Sequence, residues 1–426
     1  CAVTTLCTGL LFGGMPALFG ARAGAEWLRS GRSVAGGAAR ARGMLIAAEL
    51  ALAVVLAVGA GIMGRSVAAL HAVDAGFRAD HALTMRVQPT GRSAEERRAY
   101  WQEVLAAVRA TPGVHAAGTV LHLPLAGRTW SESVEIEGVP DPGPAGRPRS
   151  AWQAVSTGYF DAAGIPILGG RDVHDADGAG GAPVVVVNDV FARTVLGEAQ
   201  PIGRRIRTGN ATGGEWATIV GVVGSVRHYA LDREPPAEIY VPFGQRAVVA
   251  TGLFVRTTSN PAALAGELRR RIREVDPDVP ISHVQTMEQL VDTSLGRPRL
   301  LLSLLGSFAL LGVTLGAVGI AGVVARVVRQ RRREIGIRMA LGASATSVAG
   351  LVAKESLAWA ALGVLAGVAG TLAFARLLDS FVFGVSSTDP ATFVAVPFGL
   401  FLVAALAGFL PARGAARVDP ATVLGE

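Results

Sequence analysis

Two textures alternate along the chain. Five stretches carry no charged side chain, at 1–21, 50–64, 300–325, 356–375 and 391–412, and together they hold 104 of the 426 residues. A helix that crosses hydrocarbon needs about 20 predominantly apolar residues at roughly 1.5 Å each. Four stretches reach that length, and 50–64 reaches it when extended back through Glu49 to Met44. Spans are therefore expected at 1–21, 44–64, 300–325, 350–378 and 391–411. Between the second and third, residues 65–299 change period. Alternation predicts strands at 82–88 and 114–121, with helical spacing through Tyr100, Val104, Leu105 and Val108 between them. Residues 250–256, 261–275 and 281–285 repeat strand, helix, strand. Two such units pair into a split βαβ fold, with an inserted subdomain at about 130–245. The insert holds a buried strand at 182–187, a short helix from Asp189 and a strand at 216–223.

Arginine placement gives the spans a direction, because short cytoplasmic loops retain positive charge. Segment 22–43 carries Arg22, Arg29, Arg32, Arg40 and Arg42, and segment 326–349 carries Arg326, Arg329, Arg331, Arg332, Arg333 and Arg338. The connector 379–390 has no basic residue, whereas the tail 412–426 has Arg413 and Arg417. Residues 65–299 are then extracytoplasmic. The expected fold class is an α-helical membrane protein with an α+β extracytoplasmic domain, built from a four-helix unit plus one helix of an upstream unit.

Composition sharpens this picture. The chain is 50% hydrophobic and 17% charged, and all 73 charged residues fall outside the five stretches. Such a mixture excludes a plain soluble enzyme, a disordered chain and a fibrous one. The net charge of +7 flanks the spans without interleaved aromatic residues, so orientation and contact with membrane lipid are expected and nucleic acid is not. Cys1 and Cys7 both lie in the first span, which leaves the outer domain without a disulfide. Residues 13–22 and 408–417, each at a span exit, agree at five of ten positions, including Pro, Ala and Arg at fixed offsets. This predicts a duplication, with 1–21 as the last helix of an upstream copy and the sequence beginning inside a larger polypeptide.

Catalytic chemistry is sparse. The single lysine, Lys354, sits in Ala-Lys-Glu-Ser and not in the Gly-Lys-Ser/Thr of a phosphate-binding loop. A formal G-x-G-x-x-G at 59–64 lies within a span, where small residues let helices approach, as at Gly312/Gly316 and Gly363/Gly367. No zinc-type His/Cys spacing or G-x-S-x-G occurs. His174-Asp-Ala-Asp177 is expected to be a solvated loop, and no metal site is assigned. Glu49 and Lys354 lie at membrane depth, where snorkelling and an ion pair between helices are the two readings.

The most specified segment is 326–344, where a basic run leads into Glu-Ile-Gly-Ile-Arg-Met-Ala-Leu-Gly. Apolar Ile335, Met339 and Leu341 before the Gly342 stop predict a helix along the cytoplasmic interface. From Arg331 to Ala343 the segment is similar to the R-x-x-E-I-G-I-R-x-A-L-G-A signature of FtsX/MacB-type permeases of ABC transporters. The resemblance continues through 378–390, 411–421, Tyr159-Phe160, 169–172, 201–205 and 219–226. It resembles the C-terminal half of a tandem-duplicated permease, with 65–299 as the MacB-like periplasmic core domain. The resemblance implies a non-enzymatic permease subunit of an efflux or mechanotransmission transporter in the bacterial inner membrane. It further implies a separate ABC ATPase that binds the ATP, no cofactor in this chain, and a second permease unit from the same chain or a homodimer. Glu334, Ile335, Gly336, Arg338, Ala340, Leu341 and Gly342 would form the ATPase-coupling surface. An FtsX-like regulator that relays the ATPase cycle to an envelope hydrolase shares every motif.

Overall fold

The computed structural model describes residues 34–127, 129–143, 146–197, 200–248, 251–330, 345–379 and 382–415. The expected span at 1–21 and the expected coupling surface at 334–342 lie outside the described residues. In chain order the structure comprises α1 (Val34–His71), β1 (Ala82–Val87), α2 (Ala94–Arg109), β2 (Val114–Val120), β3 (Trp130–Ser133), β4 (Glu135–Ile136) and β5 (Arg149–Val155). There follow α3 (Tyr159–Ala163), β6 (Ile167–Gly170), β7 (Val184–Asn188), α4 (Asp189–Thr194), β8 (Arg205–Arg207), β9 (Ala217–Val223), β10 (Glu238–Pro242) and β11 (Thr251–Thr257). The chain closes with α5 (Pro261–Val275), β12 (Ile281–Thr286), α6 (Met287–Ser294), α7 (Gly296–Gln330), α8 (Ala345–Leu378) and α9 (Pro390–Ala415). Contacts divide it into two compact units, Leu70–Arg297 and the remainder.

In the remainder, α1, α7, α8 and α9 each contain a stretch long and apolar enough to cross a membrane. Helix α1 presents Ile46, Leu50, Val54, Val58 and Ile62 at a spacing of four, a seam that is almost fully buried. Ile320, Val324 and Val328 of α7, Ala360 of α8 and Ala404 of α9 pack around its first part, and Leu400 and Phe393 of α9 around its second. Small residues set the spacing. A Cβ at Gly363 would stand 2.6 Å from the Ala47 carbonyl, and one at Gly367 would stand 2.6 Å from Val54 Cβ. Gly61 of the formal glycine motif is used in the same way, against Thr392. Without a hydrophobic drive between helices in lipid, such close packing supplies much of the association energy.

In Leu70–Arg297 the strands form one sheet in the order β12-β1-β11-β2-β5-β10-β7-β9-β8-β4, with β3 on β5 and β6 on β9. The first four neighbours, two strand-helix-strand units interleaved, are the expected split βαβ arrangement. The insert adds its strands to the same sheet, through one bridge between Val120 and Val155. Ser93 and Glu96 form a capping box that starts α2, and Asn260 with Pro261 starts α5. These helices cover one face of the sheet, where Trp101, Val104, Leu268 and Ile272 meet Leu83, Met85, Leu253, Val255 and Ile239. Rings from α3 meet the other side chains of the sheet: Tyr159 stands edge-on to Phe254 and Phe160 edge-on to Tyr240. Gly118 permits this approach, since a Cβ there would lie 2.5 Å from the Tyr159 nitrogen.

Candidate functional site

The two helices that flank the expected coupling segment are described up to its edges. Helix α7 ends at Gln330 with Arg329 in its last turn, and α8 begins at Ala345. Val324 and Val328 in the last turns of α7 are buried against the α1 seam.

Glu49 and Lys354 do not meet: Glu49 Oε2 lies 3.7 Å from where a Gly319 Cβ would be, and Lys354 is exposed. Helix register explains the correction. Ala47 faces Gly363 and Val54 faces Gly367, which sets Glu49 level with about residue 365 of α8. Lys354 lies some eleven residues earlier, on the order of 16 Å along the axis. Similar depth in sequence does not give equal height once two helices are offset.

Two polar constellations were not anticipated from sequence. In the membrane unit, Arg65 Nη1 lies 2.5 Å from Asp389 Oδ2. The same oxygen accepts hydrogen bonds from the Thr392 amide (2.8 Å) and hydroxyl (2.7 Å), in the first turn of α9. One residue along α1, Ser66 Oγ accepts the Phe383 amide at 2.8 Å. The Thr392 bonds, with a smaller contribution from Arg65, hold the Asp389 carboxyl below the usual carboxylate range.

In the outer domain, Glu238 is wholly buried at the start of β10. It accepts hydrogen bonds from Gln153 Nε2 (3.1 Å) and the Tyr240 hydroxyl (2.6 Å). His228 Nε2 stands 3.0 Å from Glu238 Oε2, within ion-pair reach but out of line for a hydrogen bond, and His228 is equally buried. Asn188 Oδ1 accepts the Phe191 and Glu238 amides, and its Nδ2 donates to the Pro236 carbonyl. Burial, then the Glu238 carboxylate, push the Tyr159 and Tyr240 hydroxyls upward, so both stay protonated. This seam ties β5, β7 and β10 to the loop that carries His228.

Asp177, singled out in the sequence, is engaged by Arg171 and by the His174 amide, a structural use. Among the described residues no group of three or more His, Cys, Asp or Glu side chains is placed to hold a metal ion.

Residues 46–275 match the MacB-like periplasmic core domain and residues 306–420 match the FtsX-like permease C-terminal. The chain belongs to the FtsX/MacB-type permease family. It is 28% identical over 289 residues to the macrolide export ATP-binding/permease protein MacB of Azoarcus sp., covering 65% of this chain and 43% of that protein. It is 26% identical over 269 residues to the pyoverdine export ATP-binding/permease protein PvdT of Pseudomonas syringae pv. syringae, covering 61% and 40%. The periplasmic region of MacB from Actinobacillus actinomycetemcomitans aligns with 12% identity and a TM-score of 0.35, over 52% of this chain and 95% of that one. The permease thus spans about two fifths of the length of the curated relatives it matches. It is a multi-pass inner-membrane protein with a large extracytoplasmic domain.

Proposed function

We propose that this permease is the membrane subunit of an ABC-type efflux or mechanotransmission transporter, powered through its cytoplasmic segment by a separate ATPase subunit. The carrying observation is the unbroken signature from Arg331 to Ala343, between two long apolar helices that match the FtsX-like permease unit. Glu334, Ile335, Gly336, Arg338, Ala340, Leu341 and Gly342 form the docking surface in this reading. ATP is bound by the partner, since Lys354 lacks the phosphate-loop setting, and the chain itself carries no cofactor and no catalytic centre. A second permease unit, from the same polypeptide or another copy, completes the transmembrane pathway. The names of the relatives, which join ATP binding to export, support the energy source.

The test is recovery of ATP-hydrolysing activity with the tagged full-length protein from membranes. Recovery is expected, with at least a tenfold loss on combining Glu334→Arg with Arg338→Glu. No recovery from the parent, or an unchanged yield after charge reversal, overturns the coupling reading. Dependence of turnover on an exported compound marks the transporter, whereas activation of an envelope hydrolase with nothing moved marks the regulator.

A further inference from the structure

Gly61, Arg65 and Ala69 lie one turn apart on α1 with Ser66 beside them, and the connector before α9 closes on that face. Arg65 pairs with Asp389, which also caps α9 through Thr392. Ser66, 1% exposed, takes the Phe383 amide. Gly384, at φ +68°, sits where a Cβ would be 3.2 Å from Ala69 Cβ, and a Cβ at Gly61 would be 2.8 Å from Thr392 Cγ2. Beneath these contacts Ile62 and Val58 are fully buried in a cluster with Val382, Phe393 and Val396.

This contact is keyed to one register. One turn to either side of Ser66 stand Ile62, Met63, Ala69 and Leu70, none with an acceptor side chain, and the residues one turn from Arg65 are uncharged. A one-turn ratchet, a common way for packed helices to rearrange, would strand the Phe383 amide and leave the Asp389 carboxylate with its Thr392 bonds alone. An exposed ion pair alone adds little stability, so register here comes from the whole set. The α1–α7 contact differs. Between residues 46–61 of α1 and 302–319 of α7 no hydrogen bond or ion pair is formed among the described residues, and Gly312, Gly316 and Gly319 face α1.

We propose that residues 61–69 and 382–392 form a fixed clasp that makes α1 and α9 one moving body, and that displacement during the transport cycle runs along the α1–α7 contact. Arg65, Ser66 and Asp389 are positioning residues in this scheme. The second half of the proposal rests on the ATP-driven reading above, and the clasp itself does not.

The experiment uses the full chain in nanodiscs, with Cys1 and Cys7 replaced by Ala. Spin labels at Ala68→Cys and Thr388→Cys are expected to give one narrow distance distribution, unchanged by ATP and the recovered ATPase, and broadened by Asp389→Ala. A second population in the resting or ATP-loaded chain overturns the clasp. For the moving contact, a disulfide between Ser66→Cys and Phe383→Cys is expected to leave ATP turnover within twofold. One between Ala53→Cys and Gly312→Cys is expected to lower it at least tenfold, reversibly with reductant. Loss of turnover with the first pair, or none with the second, overturns the assignment of the moving contact. If the parent recovers no ATPase, the coupling reading fails, and with it the assignment of the moving contact, while the label distances still decide the clasp.

Discussion

Glu238 illustrates how a buried polar group is held in the outer domain: two neutral donors and one imidazole surround a carboxyl group that is fully buried. Removing one member of such a set leaves the others buried and unmatched, which typically costs about 3 kcal/mol. Glu238→Ala in the full chain is therefore expected to speed hydrogen exchange in β5, β7 and β10 by about two orders of magnitude if opening is local. Glu238→Gln, which retains an acceptor for Gln153 and Tyr240, is expected to do so less. Asp389 behaves differently because it lies near the surface, held by the exposed Arg65 and by Thr392. Its folded value is lowered, so its contribution is present above the ordinary carboxylate range and is lost as pH falls through the lowered value. The clasp label distribution is expected to be unchanged from pH 7 to 5 and to broaden only below about pH 4.

At the scale of elements, close helix contacts distinguish glycines that a composition count treats alike. Gly363 stands over the Ala47 backbone, whereas a Cβ at Gly399 would meet nothing within 4 Å. Gly363→Leu is expected to destabilise the membrane unit by at least the roughly 1–3 kcal/mol of an overpacked core, and Gly399→Leu to be tolerated. Thermal unfolding in detergent checks both. The spans were legible in sequence because a charge-free apolar run long enough to cross hydrocarbon is rare in a water-soluble fold. Strands β1, β2, β7 and β9 were legible through alternation or continuous apolar runs. Strands β5 and β10 were not, because Ser150, Gln153, Glu238 and Tyr240 are buried polar side chains in positions where sequence patterning expects apolar ones. The clasp was equally invisible: its ion pair joins residues 324 apart, and although Asp389 lies in the family-like segment 378–390, nothing in that segment points to Arg65 as its partner. The Glu49–Lys354 reading failed because depth in a span does not specify the register between spans.

For the whole molecule, hydropathy separates the membrane unit from the outer domain, and the arginines supply direction. The contacts add that α7 runs against α1 and α8 along it, with Gly312 and Gly319 of α7 facing Ala53 and Ile46, and Gly363 and Gly367 of α8 facing Ala47 and Val54. The insert of the outer domain has a further consequence. Val120, the last residue of β2, lies directly opposite Gly252 near the start of β11, so the insert leaves and re-enters the base at adjacent positions. Topologically it is an overgrown hairpin loop, and lengthening a loop adds closure entropy only slowly. The insert can therefore be exchanged as a cassette between those two chain positions while β12, β1, β11 and β2 keep their order. A replacement cassette must bring its own partners for Trp101, whose ring now rests edge-on against Phe243, and for Phe254 and Gly118, on which Tyr159 of α3 now packs.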